Sequence, residues 1–134
     1  MADDCIFCAI AERSAPAEVV QADANTIAFL DINPATRGHT LVIPRKHSDN
    51  LFDIDDDDLH RVISMAKSIA TRMPEALGAD GVNLLNSCGT AAWQTVHHFH
   101  MHVIPRYTDD PLKLPWVPGP PEADELAQIA EDLR

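Results

Sequence analysis

The sequence predicts an α+β domain: an antiparallel sheet of about five strands with one long helix and shorter N-terminal and C-terminal helices. Short apolar runs with strand character recur along the chain and are separated by turn residues. One long stretch, from Asp55 to Met73, instead has apolar residues three and four positions apart, as in an amphipathic helix. The length of 134 residues, 46% of them apolar, suits one domain with its own core, so we expect a single domain over residues 1–134.

The N-terminal half predicts one short helix followed by three strands. Residues 5–13 have the apolar spacing of a short helix. Residues 18–21 and 26–31 are apolar runs separated by an Asp-Ala-Asn turn, which predicts a hairpin. The turn-rich segment 31–38 is expected to be a loop, and a third strand follows over 39–43.

The long helix begins at an acidic run, Asp55–Asp58. Carboxylates at a helix start cap free N–H groups and interact favourably with the positive end of the helix dipole. We therefore interpret this run as a capped, solvated helix start, in preference to a metal site or an interaction patch.

Two more strands and a terminal helix are predicted beyond the long helix. The strands cover 81–86 and 96–104. The segment 111–121 contains five prolines, which exclude regular structure there. A helix is expected after Pro121, where apolar residues again follow helical spacing and acidic residues come early.

The charge of the chain excludes some classes of partner. With 21 acidic and 10 basic residues, the formal net charge is -11, so binding to nucleic acid or to an anionic membrane is not expected. No apolar run approaches the ~18 residues of a membrane span. The N-terminus lacks the features of a signal peptide, and we therefore expect a cytoplasmic protein.

Three histidines alternate with apolar residues between His98 and His102. Because neighbouring side chains on a strand point to opposite faces, His98, His100 and His102 are predicted to share one face. Imidazole titrates near neutral pH, acts as a nucleophile and binds metals, so this row predicts a functional site. A tract used only to capture metal is the alternative.

Cys5 and Cys8 are separated by two residues. In a reducing compartment this spacing points to metal or redox chemistry, not to a disulfide. A tetrahedral zinc site requires two further ligands.

The histidine pattern and several other motifs resemble one family. His98-Phe-His100-Met-His102-Val-Ile104 is similar to the motif of the histidine triad (HIT) superfamily of nucleotide hydrolases and transferases. Segments 5–8, 29–34, 38–47 and 94–98 resemble its Hint-like branch as found in bacteria. The resemblance covers a motif-bearing core over 5–107, while 108–134 holds the Pro-rich loop and the C-terminal helix.

This resemblance implies a HIT-like fold and cleavage of purine nucleoside 5'-phosphoramidates through a covalent nucleotidyl-histidine. His100 would be the nucleophile, and His102 would bond a phosphate oxygen. Asn86 and Gln94 match positions that hold the phosphate, and Thr95 lies near the leaving group. The catalytic residues implied by the resemblance are His39, Thr95, His98, His100 and His102, with His39 in a supporting role.

The resemblance also implies a nucleotide pocket, a metal site and a partner subunit. Asp31 would hold the ribose, although its position before Asn33-Pro34 also fits a plain turn residue. The residues expected to line the base pocket are Phe7, Ile10, Phe29 and Ile32. Zinc, in a structural role, would be held by Cys5, Cys8, His47 and His98. The resemblance also leads us to expect a homodimer.

One residue departs from the family pattern, and two other functions stay open. Trp93 stands directly before Gln94 where the family has glycine, and a tryptophan does not readily adopt positive φ. We therefore expect a reshaped phosphate loop. The alternative functions are hydrolysis of dinucleoside polyphosphates and a zinc-stabilised nucleotide-binding or interaction module with incidental turnover.

Overall fold

Five strands form one antiparallel sheet in the computed structural model, which describes residues 4–134. The elements in chain order are α1 (Ile6–Ala11), β1 (Val19–Ala22), β2 (Thr26–Leu30), β3 (Thr40–Pro44), α2 (Asp56–Leu77), β4 (Gly81–Leu85), a 3-10 turn (Thr90–Ala92), β5 (Met101–Arg106) and α3 (Glu125–Leu133). The predicted α+β class, with a five-stranded antiparallel sheet, one long helix and two shorter helices, is confirmed. Among the helices of residues 4–134, none has the length and apolar character that a membrane crossing requires.

The sheet has the strand order β1-β2-β3-β5-β4 and a hydrophobic core on each face. Ala28, Val42 and Val103 face the long helix α2. On the opposite face, Ile27 and Leu41 pack with apolar residues of the short helix α1. The period of two along each strand produces this division, and the candidate site lies on the α1 side.

The acidic run before α2 caps the helix. The Asp55 carboxylate accepts a hydrogen bond from the Asp58 N–H, at 2.8 Å, and Asp58 is buried against Arg61. Gly78, with φ +73, ends the helix in the left-handed conformation. This arrangement agrees with the capping interpretation.

The last strand begins later than the sequence predicts. The prediction of a strand over 96–104 is wrong for its first part, because β5 covers Met101–Arg106. The neighbouring β3 pairs with it only as far as Val42, opposite Met101. Before this point the chain leaves the ladder, since the Phe99 N–H donates to the Ser48 carbonyl, at 2.7 Å.

The predicted helix over 5–13 is also shorter, ending at Ala11. Arg13 adopts a left-handed conformation with φ +63, which α-helical geometry does not permit. The other strands differ from their predicted bounds by one or two residues.

The C-terminal segment, residues 111–134, is almost entirely exposed. As predicted, 111–121 contains neither helix nor strand. The apolar side chains of α3 are left in solvent, with Leu126 63%, Ile129 46% and Leu133 83% exposed. An apolar face of this kind is available to another protein surface.

Candidate active site and metal centre

A cavity of about 620 Å³ opens on the α1 side of the sheet and reaches the histidines. Of the residues that the sequence places around a nucleotide, the cavity is lined by Phe7, Ile10, Phe29, Asp31, Ile32, Thr95, His100 and His102. His39 lines it as well, as do residues that sequence reasoning missed: Ile6, Ala15, Pro16, Ala17, Leu30, Asn33, Leu41 and Val96. The missed residues are ordinary apolar or turn positions, which carry no chemical signal in a sequence.

The histidines alternate with core residues although only His102 lies within β5. Phe99, Met101 and Val103 pack under α2. The rings of His100 and His102 face the cavity, with centroids 5.0 Å apart. The segment before the strand thus preserves the alternation that the sequence predicts.

His100 is held in the tautomer that leaves Nε2 without a hydrogen. Its Nδ1 lies 2.8 Å from the main-chain oxygen of His98, which can only accept, so Nδ1 carries the hydrogen. Nε2 therefore keeps its lone pair. Burial lowers the pKa of His100, which favours this neutral form.

A directional chain of hydrogen bonds orients His102. The Ala35 N–H donates to Nδ1 of His39, at 2.9 Å, so the hydrogen of His39 must be on Nε2. That Nε2 lies 2.9 Å from Nδ1 of His102, which is then an acceptor. Nε2 of His102 consequently carries a hydrogen that it can donate.

Burial keeps the two hydrogen-bonded histidines, His39 and His102, neutral. It lowers the pKa of His102 to about 4, with His100 and His39 contributing in the same direction. It also lowers the pKa of His39, which Asp31 partly opposes. Asp31 Oδ2 lies 3.6 Å from His39 Nε2, while its Oδ1 accepts from the Asn33 N–H.

Asp31, His39 and His102 are close enough to suggest a metal site, but their hydrogen bonds argue against one. The nitrogen of His39 nearest the other two residues carries a hydrogen, and the lone pair of Nδ1 is bonded to Ala35. A metal would need that nitrogen bare. Asp31, His39 and His102 are therefore better described as a hydrogen-bonded cluster in which the position of each imidazole hydrogen is fixed.

Asn86 and Gln94, predicted to hold phosphate, do not line the cavity. Asn86 donates through Nδ2 to the His100 carbonyl, at 3.0 Å. Buried Gln94 accepts from the Gly89 N–H and donates to the carbonyls of Asp49 and Val96. Both side chains therefore fix the main chain around the site.

Trp93 itself adopts the conformation that a glycine would favour. Its φ is +76, and it follows the 3-10 turn as its C-terminal cap. The side chain is 66% exposed. The loop thus keeps the left-handed backbone at this position and places strain on the tryptophan.

Four side chains of the predicted zinc set come together beside the cavity. The ligand atoms of Cys5, Cys8, His47 and His98 all lie within 4.8 Å of one another. The Cys8 Sγ is 3.3 Å from Nδ1 of His47 and 3.5 Å from Nδ1 of His98, and the Cys5 Sγ is 3.4 Å from that same atom. In tetrahedral zinc geometry a sulfur and a nitrogen ligand lie about 3.6 Å apart, so the set has the size of a metal site.

The other nitrogens of these two histidines are bonded to acceptors. Nε2 of His98 donates to the Pro44 carbonyl, at 2.8 Å, and Nε2 of His47 lies 2.7 Å from the Asp49 carboxylate. This leaves both Nδ1 lone pairs for a metal, an arrangement typical of histidine ligands. Burial lowers the pKa of His98 to about 4, which also favours the neutral ligand form. Asp49 was missed in the sequence, where an acid two residues after a histidine is unremarkable.

Comparisons with known proteins agree with these features. A family model described as HIT domain matches residues 12–109. An uncharacterized HIT-like protein of Methanocaldococcus jannaschii is 45% identical over 106 residues, which are 79% of this chain and 81% of that protein.

Two solved structures are similar over almost the whole chain. A zinc-bound histidine triad family protein from Mycobacterium smegmatis is 39% identical with a TM-score of 0.79, over 96% of this chain and 97% of that one. A histidine triad nucleotide-binding protein from Candida albicans is 30% identical with a TM-score of 0.84, over 97% of this chain and 94% of that one.

Proposed function

The chain belongs to the HIT domain family, and on that basis we propose that it is a purine nucleotide hydrolase that cleaves nucleoside 5'-phosphoramidates. The observation that carries the proposal is the bare Nε2 of His100, which belongs to a ring lining an apolar cavity. The similar Candida albicans protein is described as nucleotide-binding, which supports the choice of ligand.

In the proposed first step, Nε2 of His100 attacks the α-phosphorus. A bond forms between nitrogen and phosphorus, the bond from phosphorus to the leaving amine breaks, and the amine takes a proton from solvent. The Nε2–H of His102 donates to an oxygen of the phosphate, where negative charge increases in the transition state. The phosphorylated His100 ring is cationic, and the His98 carbonyl accepts its Nδ1 hydrogen.

In the second step, water attacks the same phosphorus. The bond between phosphorus and His100 breaks, the electron pair returns to Nε2, and the water loses a proton to solvent. The nucleoside monophosphate leaves, and His100 is again neutral. Asp31 would hold the ribose, and the aromatic pair Phe7 and Phe29, whose ring centroids are 5.4 Å apart, would contact the base.

We also propose that Cys5, Cys8, His47 and His98 hold a structural zinc ion. Two thiols and two neutral imidazoles are a ligand set that zinc favours, and the similar Mycobacterium smegmatis protein is zinc-bound. The ion would join the start of α1 to the segment before β5. His98 would then act on the chemistry through its carbonyl, which positions His100.

The proposed assembly is a homodimer. The apolar side chains that α3 exposes support a protein partner, and 83% exposure of Leu133 is unfavourable in an isolated chain. Light scattering on the purified chain tests this proposal, since a monomeric mass would contradict it.

The experiment that tests the function compares two substrate types and two histidine variants. Wild type, His100→Asn and the control His97→Asn are incubated with adenosine 5'-phosphoramidate and with a dinucleoside polyphosphate. His97 is exposed and does not line the cavity. We expect His97→Asn to keep the activity and His100→Asn to lose it. Comparable rates on the polyphosphate would favour the alternative hydrolase, and wild-type turnover by folded His100→Asn would contradict the mechanism.

A further inference from the structure

Arg13 differs from every other arginine in the way its side chain is used. The chain has seven arginines, and the side chains of six of them make hydrogen bonds or ion pairs: Arg37, Arg45, Arg61, Arg72, Arg106 and Arg134. Arg13 makes none with any residue of 4–134. Because this exposed guanidinium has no acidic partner among residues 4–134, it is available to bind a ligand.

The backbone of Arg13 is also unusual. Its φ of +63 is left-handed, and only one other non-glycine residue in the described range, Trp93, has a positive φ. For a non-glycine residue this conformation costs about 1 kcal/mol. Here it closes the end of α1, where the Ser14 N–H donates to the Ala9 carbonyl, at 2.9 Å, and it fixes the main chain from which the Arg13 side chain extends.

Arg13 lies beside the base end of the candidate active site. It lines a small cavity of about 240 Å³. Four further lining residues of this cavity, Ile10, Ala15, Pro16 and Ala17, also line the large cavity that contains the histidines. The two cavities therefore share these four lining residues, which places Arg13 beside the apolar end of the large cavity.

The apolar part of the large cavity offers a base little to distinguish adenine from guanine. The residues proposed to contact the base there are Phe7, Ile10, Phe29 and Ile32, which have no hydrogen-bonding side chains. An apolar pocket discriminates weakly between ligands that differ in a polar group. A hydrogen-bonding residue at the edge of this apolar part can therefore add a base preference.

We propose that Arg13 is a specificity-determining residue that selects 6-oxopurine nucleotides, by donating two hydrogen bonds to N7 and O6 of the base. A guanidinium only donates. Guanine and hypoxanthine present acceptors at both N7 and O6, whereas adenine presents an acceptor at N7 and a donor at its amino group. This inference rests on the proposed nucleotide site but not on turnover.

Equilibrium binding of GMP, IMP and AMP tests the inference. Calorimetry is done on the full chain as wild type, Arg13→Ala and Lys67→Ala. Lys67 is exposed on α2, on the opposite side of the sheet, and its substitution removes the same charge. We expect wild type and Lys67→Ala to bind GMP and IMP at least about fivefold more tightly than AMP. Arg13→Ala, shown to be folded by circular dichroism, should bind all three within about twofold.

Three results would overturn the inference. They are equal affinities of wild type for the three nucleotides, an unchanged preference in folded Arg13→Ala, and a preference for GMP that IMP does not share, which would indicate recognition of the 2-amino group. If Arg13→Ala does not fold, Arg13→Lys replaces it, since an ammonium cannot make the paired contact and the preference should still fall. Hydrolysis is measured separately with adenosine and guanosine 5'-phosphoramidates. Nucleotide binding without hydrolysis would refute the proposed activity and leave base selection testable.

Discussion

Nε2 of His39 lies 2.9 Å from Nδ1 of His102, and the Ala35 N–H on the far side of His39 fixes the direction of this hydrogen bond. His39 thereby determines which nitrogen of His102 carries the hydrogen that faces a ligand. A main-chain amide in the loop before β3 thus controls the donor proposed for the phosphate.

Replacing His39 with a residue that cannot donate a hydrogen bond to His102 should slow the reaction without abolishing nucleotide binding. We expect His39→Leu to lower kcat for adenosine 5'-phosphoramidate by about 5- to 30-fold, since a lost hydrogen bond in a buried chain costs about 1–2 kcal/mol. His39→Gln, whose amide can still donate to Nδ1 of His102, should retain more of kcat. Equal losses in the two variants, with both folded, would show that donation by His39 is unimportant.

The depressed pKa of His102 predicts how stability depends on pH. The folded pKa is about 4, below the usual 6.5 of imidazole. In this window the unfolded chain binds a proton that the folded chain does not, so the free energy of unfolding falls as the pH falls from about 6.5 to 4. Above about pH 6.5 the contribution of His102 to the free energy of unfolding is constant.

Urea unfolding of wild type and His102→Asn, at about pH 7.5 and about pH 5, tests this expectation. His102→Asn should lose less stability between the two pH values than wild type does. The exposed His60 of α2 supplies the control, because His60→Asn should behave like wild type. Identical losses in wild type and His102→Asn would refute the role given to His102.

Zinc should bind in a ratio of about one per chain and stabilise the fold. Cys8→Ser is expected to lose the metal and to lower Tm by about 5 °C or more, since metal binding contributes to folding. Cys88→Ser removes a thiol outside the cluster and should change neither quantity. Metal analysis and calorimetry on protein purified without a histidine tag measure both. Full zinc content in Cys8→Ser would show that the site is elsewhere.

Replacing Trp93 with glycine should stabilise the chain. The left-handed conformation, with φ +76, is strained for tryptophan and free for glycine. The gain, reduced by the greater freedom of glycine in the unfolded chain, is expected to be about 0.5–1 kcal/mol in urea unfolding. Trp116→Gly removes a similarly exposed tryptophan that has no positive φ and should not stabilise. A lower unfolding midpoint for Trp93→Gly would show that the indole contributes packing that outweighs its strain.

The sequence predicts those parts of the fold and site that depend on short-range periodicity. Alternation places His100 and Phe99 on opposite faces, and helical spacing with an acidic cap defines α2. The start of β5 depends instead on where β3 stops pairing, which is a property of two distant segments. The orientation of Gln94 likewise depends on the main chain of Asp49, 45 positions away, and no pattern in the sequence encodes it.

Asp49 contacts both halves of the site. Its carboxylate bonds His47, a proposed metal ligand, and its main-chain oxygen accepts from Gln94, which precedes Thr95 at the cavity wall. The segment that holds the metal centre and the loop that borders the substrate cavity therefore share one anchor. A displacement of the segment that holds the metal ligands is therefore expected to move the Gln94 loop, and the reverse. The residue that connects them, Asp49, is not a proposed metal ligand and does not line the cavity.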